Sequence, residues 1–140
     1  MYRKAEKTDC GQIYQLICKL EGQTLPPEVF RAIFEKQLES EAFFCLVCEL
    51  EGRVAGVLNL RFEEQLHHCG LVAEIMEFVV APGFRGRGIG RELFRFAGET
   101  AKERGCIQIE AACNQKRTEA HRFYMGVGME KGHFKFSKVL

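Results

Sequence analysis

Fifteen residues from Val79 to Leu93, VVAPGFRGRGIGREL, constrain this chain more than any other segment. An apolar, β-branched run ends at Pro82. Ile89, Leu93, Phe96, Ala97 and Ala101 then recur at helical spacing until Gly105 closes the pattern. Between the two lie Gly83, Gly86, Gly88 and Gly90, interleaved with Arg85, Arg87 and Arg91. The segment predicts a strand, a glycine-rich turn and a helix from about 88 to 104. The first N–H groups of a helix lack intrahelical acceptors, and the helix dipole makes that end electropositive. Three arginines beside it are unfavourable with nothing bound. A multiply charged anion such as a pyrophosphate reverses that sign, and the glycines let the backbone approach it closely.

Two better-known glycine patterns do not fit. Gly83 and Gly88 have the spacing of a Walker A loop, but Ile89-Gly90 stand where its lysine and hydroxyl residue belong. Gly88-Ile89-Gly90-Arg91-Glu92-Leu93 puts leucine at the third glycine of a dinucleotide fingerprint, with no acidic ribose partner at the expected distance. What remains is Arg-Gly-x-Gly-x-Gly at a helix entrance.

The rest of the chain supplies a sheet and its covering helices. A short strand opens it. Asp9, with Gln12 three residues on, predicts a capped helix carrying Ile13, Leu16, Ile17 and Leu20 and ending near Gly22. Pro26-Pro27 opens a second helix with Phe30, Ile33, Phe34 and Leu38 as its buried stripe. Phe43 to Leu50 and Val54 to Phe62, joined by Glu51-Gly52-Arg53, read as a hairpin, and Leu71 to Val80 as a third long strand. After the helix at 88, Ile107, Ile109, Ala111 and Cys113 alternate as a strand, and a short helix covers Arg117 to Met125. A closing strand or hairpin is expected from Glu130 to Val139. The fold class is α/β: a mixed sheet with four helices on its faces, including a right-handed parallel β–α–β unit over 71 to 113. One domain, 1–140, is expected at this length.

Charge and cysteine usage narrow the partners. A formal net charge of +1 gives no global field toward nucleic acid or an anionic membrane, so any basic site is local. No apolar run reaches about 18 residues, and the polar N-terminus MYRKAEKTDCGQ is no secretory signal, so a cytoplasmic location is the default. The seven cysteines are odd in number and irregularly spaced, unlike a disulfide framework. Cys45 and Cys48, three apart on a strand, face opposite sides and do not read as half a zinc site.

Strand, Val80-Ala81-Pro82-Gly83-Phe84 and then Arg85-Gly86-Arg87-Gly88-Ile89-Gly90 resemble the acetyl-coenzyme A signature of the GNAT N-acetyltransferase superfamily, Arg/Gln-x-x-Gly-x-Gly/Ala on a strand-to-helix turn. The order of elements matches that fold over nearly the whole chain. The resemblance implies a mostly antiparallel sheet and a turn that binds the cofactor pyrophosphate through Arg85, Gly86, Arg87, Gly88, Ile89, Gly90 and Arg91. It implies that the backbone of Phe78, Val79 and Val80 runs along the pantetheine and acetyl group. Asn114 resembles the asparagine that hydrogen-bonds pantetheine.

Acetyl transfer to an amine needs a deprotonated amine, a stabilised oxyanion and a proton for the departing thiolate. An alkylamine is mostly ammonium at neutral pH, so a general base is expected. Glu74 and Glu77 sit on the strand before the turn, in AEIMEFVV, and cannot share a strand face unless a bulge intervenes. The resemblance makes Glu74 the base and Tyr124, in AHRFY, the acid. The backbone N–H of Val80 is the expected oxyanion donor.

The segments Leu66-His67-His68, Ala73 to Val80, Lys116-Arg117, Ala120 to Tyr124 and His133 to Lys138 resemble the aminoalkylphosphonate N-acetyltransferases. That resemblance implies a small primary amine bearing a phosphonate, with His67, His68, Glu77 and His121 on the substrate side. His67 and His68 would face opposite ways on a strand. A divalent metal bridging histidine and phosphonate is compatible with this set, but no protein-bound metal is expected. Two copies pairing through C-terminal strands would suit the resemblance. Rival readings are another amine, favoured by Glu63-Glu64 if it is cationic, a non-catalytic acyl-CoA sensor, and nucleic-acid binding through Arg87, Arg91 and Arg95.

Overall fold

Apolar alternation builds the central hairpin. In the computed structural model, which describes residues 1–140, β2 (Phe43–Leu50) and β3 (Arg53–Gln65) pair antiparallel, with Leu50 opposite Arg53. The two turn residues, Glu51 and Gly52, both have positive φ, 53° and 70°, as a two-residue hairpin matching the strand twist requires. β1 (Tyr2–Lys4) pairs with β2 on one side, and β4 (Gly70–Val80) with β3 on the other. β5 (Gln108–Ala111) completes the sheet, whose order is β1-β2-β3-β4-β5. A single helix, α3 (Ile89–Glu103), connects the neighbouring strands β4 and β5.

The sheet is covered on both faces. α1 (Cys10–Glu21) and α2 (Pro27–Glu39) lie on one. There Ile13, Leu16, Ile17 and Phe34 join Cys45, Val47, Val57 and Val79 in one core. α3 covers the other. A Cβ added at Gly56 of β3 would lie 3.0 Å from Leu93 Cδ1 and 3.2 Å from Ile89 Cγ2, so α3 approaches the strand as closely as glycine permits. No helix is long and apolar enough to cross a membrane.

The chain divides into two compact units, Met1–Glu110 and Ala111–Leu140. The second contains α4 (Thr118–Gly126), held at its start by an Asx turn in which Asn114 Oδ1 accepts from Lys116 N–H at 2.9 Å.

Three expectations are corrected. The segment Glu130 to Val139 forms neither strand nor hairpin; Phe134 and Phe136 are 77% and 93% exposed. An alternating segment becomes a strand only beside an open ladder, and no backbone pairing reaches this one. Ile33 is exposed, so α2 buries the narrower stripe of Phe30, Phe34 and Leu38. Asp9 does not cap α1 with its side chain.

Asp9 is instead tied to β1. Its carboxylate accepts from Arg3 Nη1 at 2.8 Å, Arg3 Nη2 at 2.9 Å and Glu6 N–H at 2.7 Å, while only 4% exposed. The Arg3 guanidinium holds the Asp9 carboxyl below the usual carboxylate range. That stability is present above the unfolded pKa and is lost as pH falls through the folded one. Asp9→Ala leaves a half-buried guanidinium short of its partner and should cost about 3 kcal/mol, the low end for breaking a buried pair. Urea unfolding at neutral pH measures this, and the difference from wild type should shrink as the pH is lowered through the carboxylate range.

Candidate functional site

The strand–turn–helix segment forms as its sequence requires. Pro82–Phe84 makes a 3₁₀ turn after β4, with Phe84 buried. Gly86 and Gly88 both take φ of +78°, which a side chain rarely adopts, and the space beside each is open. Gly88 is the N-cap of α3, and no side chain caps that helix. The first intrahelical bond runs from Glu92 N–H to Gly88 O, so the N–H groups of Ile89, Gly90 and Arg91 have no helical acceptor. The Ile89 side chain is buried, so only its backbone is available to a ligand.

The arginines around this turn differ in their commitments. Arg95, one turn further along, is held by Glu92 and Glu99 and covers the Phe96 ring. Arg87 and Arg91 have no carboxylate partner, and Arg85 Nε donates to Val80 O at 3.2 Å. The Arg87 guanidinium lies 5.1 Å from the Phe84 ring centre. Arg53, from the hairpin tip, lies 5.2 Å from the same ring, a contact the sequence reading missed because its partner is distant in the chain. The uncompensated positive charge is therefore concentrated on the turn itself. Of Arg87, Arg91 and Arg95, Arg95 alone is paired with carboxylates.

β4 carries the carboxylates, and its ladder with β3 holds a bulge. Asn59 faces Glu77 while Leu60 faces Ile75, leaving Met76 as the extra residue. The inserted residue restores parity, so Glu74 and Glu77 oppose Arg61 and Asn59, which lie on one face of β3. Glu74 accepts from Arg61 Nη2 at 3.0 Å. Glu77 Oε1 accepts from Asn59 Nδ2 at 2.8 Å, and that same amide donates to Gln37 Oε1 at 3.0 Å. Burial pushes the Glu77 carboxyl above the usual range, against the lowering effect of Asn59; Glu21 adds to the rise.

The sequence reading also missed Asn59 and Arg61. Their signal was available: Asn59, Arg61 and Glu63 alternate with the apolar Leu58, Leu60 and Phe62. Arg61 also reaches Glu63 at 3.4 Å. Gln65 Nε2 donates to Glu63, while its Oε1 lies 2.6 Å from His68 Nδ1. His67 and His68 lie on a 3₁₀ turn rather than a strand. Their rings are therefore neighbours, 4.2 Å apart, instead of facing opposite ways. No group of three His, Cys, Asp or Glu side chains forms a metal-binding cluster.

Further along β4, the Val79 side chain is part of the α1/α2 core, so only its backbone can meet a ligand. Ala81 N–H donates to Ala55 O of β3 at 2.8 Å. Strand alternation then turns the N–H and C=O of Val80 and Phe78 away from β3.

Within the second unit, the Asn114 carbonyl accepts from Arg117 N–H at 3.0 Å and from His121 Nε2–H at 2.9 Å. His121 thus uses one ring nitrogen on local structure. Tyr124 is half-buried, with its phenol pushed up to about 12, first by burial and next by Cys113. Such a phenol remains protonated at neutral pH and can donate.

Comparison with known proteins bears on this arrangement. Residues 10–129 match the model of the Acetyltransferase (GNAT) family. An aminoalkylphosphonate N-acetyltransferase of Salmonella typhimurium is 36% identical over 138 residues, 99% of this chain and 90% of that protein. A thialysine N-epsilon-acetyltransferase of Bos taurus is 28% identical, covering 93% and 84%. The structure of aminoglycoside N-acetyltransferase AAC(6')-Iy in complex with CoA superimposes with a TM-score of 0.88 at 18% identity, over 99% of this chain and 93% of that one. The five-stranded sheet, the anion-ready turn before α3 and these matches together establish that the chain belongs to the GNAT acetyltransferase family, as an N-acetyltransferase acting on amines.

Proposed function

We propose that this enzyme transfers the acetyl group of acetyl-CoA to a small primary amine of the aminoalkylphosphonate class. The observation that carries the transfer chemistry is the turn before α3. Its free helical N–H groups, open glycine faces and Arg87 and Arg91, which have no carboxylate partner, fit a pyrophosphate. Arg85, Gly86, Gly88, Ile89 and Gly90 complete that cradle. The backbone of Phe78, Val79 and Val80 and the Asn114 amide are the groups for pantetheine. When bound, acetyl-CoA supplies a thioester carbonyl activated for attack.

The protein then has three tasks. A carboxylate of β4 takes the ammonium proton, a role the resemblance gives to Glu74. The Val80 N–H stabilises the oxyanion as the C–N bond forms. Tyr124 protonates the thiolate as the C–S bond breaks. The acceptor class is supported by the Salmonella relative, which spans nearly the whole chain. His67, His68 and His121 are the candidate groups for the phosphonate. Small-molecule acetylation in the cytoplasm, without a nucleic-acid or membrane partner, completes the reading.

Mass spectrometry of products from acetyl-CoA with aminomethylphosphonate, thialysine, spermidine and glucosamine 6-phosphate tests the acceptor. N-acetyl aminomethylphosphonate is expected; product only from another amine overturns the acceptor class, and no product at all overturns the transferase reading. Tyr124→Phe should lower kcat by about 100-fold, the scale of general-acid catalysis, while calorimetry shows acetyl-CoA binding retained. Because its phenol is pushed up to about 12, Tyr124 should impose no fall in rate through the mildly alkaline range. Unchanged kcat in the phenylalanine variant rules it out as the donor.

A further inference from the structure

β4 presents two carboxylates on one face, and their surroundings suit them to different work. Glu74 lies beside a guanidinium: Arg61 Nη2 is 3.0 Å from its Oε1. It therefore already has a fixed cationic partner. Glu77 has none. Its hydrogen-bond partner is the neutral amide of Asn59. The groups facing it are Gln37 of α2, Glu21 of α1, Cys45 of β2, and Asn59 of β3. None of these is a cation, and Glu21 is a second carboxylate.

Asn59 shows a further asymmetry. It is only 8% exposed, and its Nδ2 serves both Glu77 and Gln37. Its Oδ1 is buried and accepts from no donor in the protein. A buried acceptor without a donor is costly. Side by side on this ladder are thus a carboxylate without a counter-ion and an amide oxygen without a donor. A primary ammonium supplies both the positive charge and the N–H groups they lack.

Resting on the transferase reading above, we propose that Glu77 is the group that takes the proton from the acceptor ammonium. Asn59 is its positioning residue: it fixes the carboxylate with one amide N–H and offers Oδ1 to an acceptor N–H. One proton passes from R–NH₃⁺ to the Glu77 carboxylate, leaving R–NH₂ with the lone pair that attacks the thioester carbon. The C–N bond forms and the C–S bond breaks. The thiolate takes its proton from Tyr124, the acetylated nitrogen sheds its second proton to solvent, Tyr124 regains a proton from solvent, and Glu77 releases its own to solvent, so that one proton is released per turnover. Glu77 thereby replaces Glu74, to which the resemblance gives the role of base: Glu74 acts instead as the counter-ion of Arg61, without exchanging a proton in the reaction.

Burial raises the Glu77 carboxyl, so its ionised, proton-accepting form increases as pH rises through that raised value. This sets an acidic limb in the rate profile. Removing the Asn59 hydrogen bond, which opposes the rise, moves the limb to higher pH. Stability runs the other way: a carboxyl raised in the folded state favours folding at low pH, and that contribution is lost as pH rises through the folded value.

The experiment is a set of initial-rate pH profiles with acetyl-CoA and aminomethylphosphonate for wild type, Glu77→Gln, Glu74→Gln and Asn59→Ala. Calorimetric acetyl-CoA binding and urea unfolding against pH accompany each. Glu77→Gln should lose about 100-fold or more in kcat, as expected for a general base, together with the acidic limb. Its glutamine Oε1 still accepts from Asn59, so it should fold, bind acetyl-CoA and show a flatter stability profile. Glu74→Gln should keep the limb. Asn59→Ala should lower kcat more than it changes the KM of acetyl-CoA and shift the limb upward. A Glu77→Gln enzyme that retains the limb, with kcat within about threefold of wild type, overturns the assignment. So does loss of the limb in Glu74→Gln alone. An unaltered limb in Asn59→Ala removes Asn59 from the positioning role. Wild type inactive on every amine of the panel defeats the parent reading, an outcome separate from any difference among the variants.

Discussion

The β3–β4 ladder is the feature on which the rest of the first unit depends. It is the longest pairing in the sheet, running from Gly56–Val80 to Gln65–Gly70. It fixes Gly56 beneath α3 and Val57 and Val79 beneath α1 and α2. Its single irregularity, at Met76, has chemical consequences. Without that inserted residue Glu74 and Glu77 would face opposite sides, one against each covering layer. With it, both face Arg61 and Asn59, and Met76 turns outward to solvent instead. The same strand then ends at Pro82 and delivers the chain to the arginine-bearing turn. One ladder thereby positions both a carboxylate pair and an anion-ready helix end.

The elements legible in sequence were those whose cause is local. The helix after Gly88 could be read because period, punctuation and capping agree along 15 residues. The hairpin could be read because Glu51-Gly52 suits positive φ. Asp9 was misassigned because local chemistry offered two uses for one carboxylate, helix cap or ion pair, and Arg3 is joined to it by folding rather than by a capping pattern. The expected last strand was misassigned for a related reason. His133-Phe134-Lys135-Phe136 alternates as a strand would, but alternation specifies a face, whereas a strand also requires a partner ladder.

The candidate site divides along the same line. The turn glycines and arginines were legible as a contiguous pattern. Both carboxylates were visible, but their shared face was not, since nothing in AEIMEFVV marks Met76 as the inserted residue. Asn59 and Arg61, 13 to 18 residues upstream of their partners, become meaningful only through register. His67 and His68 were expected to face opposite ways, as neighbours do on a strand. The 3₁₀ turn that ends it brings the rings together.

The choice of amine must reside away from the turn. A pyrophosphate cradle recognises the acetyl donor and is indifferent to the acceptor, so acceptor selectivity falls to side chains that differ in charge near the carboxylates. The odd-numbered row of β3 has that character. Glu63 and Glu64 by themselves suggest a cationic acceptor. Glu63, however, accepts from Arg61 at 3.4 Å and from the Gln65 amide at 3.2 Å, so its charge is partly offset by a guanidinium it shares with Glu74. Arg61 bridges Glu63 and Glu74, and its Nε is buried without an acceptor, which leaves one donor of this guanidinium unsatisfied. A row in which an arginine with an unsatisfied N–H lies between the glutamates is less hostile to an anionic substituent than its sequence alone implies. The ammonium of an acceptor would meet the carboxylates of this ladder and an acid group would meet Arg61, so charges of both signs are available within one row.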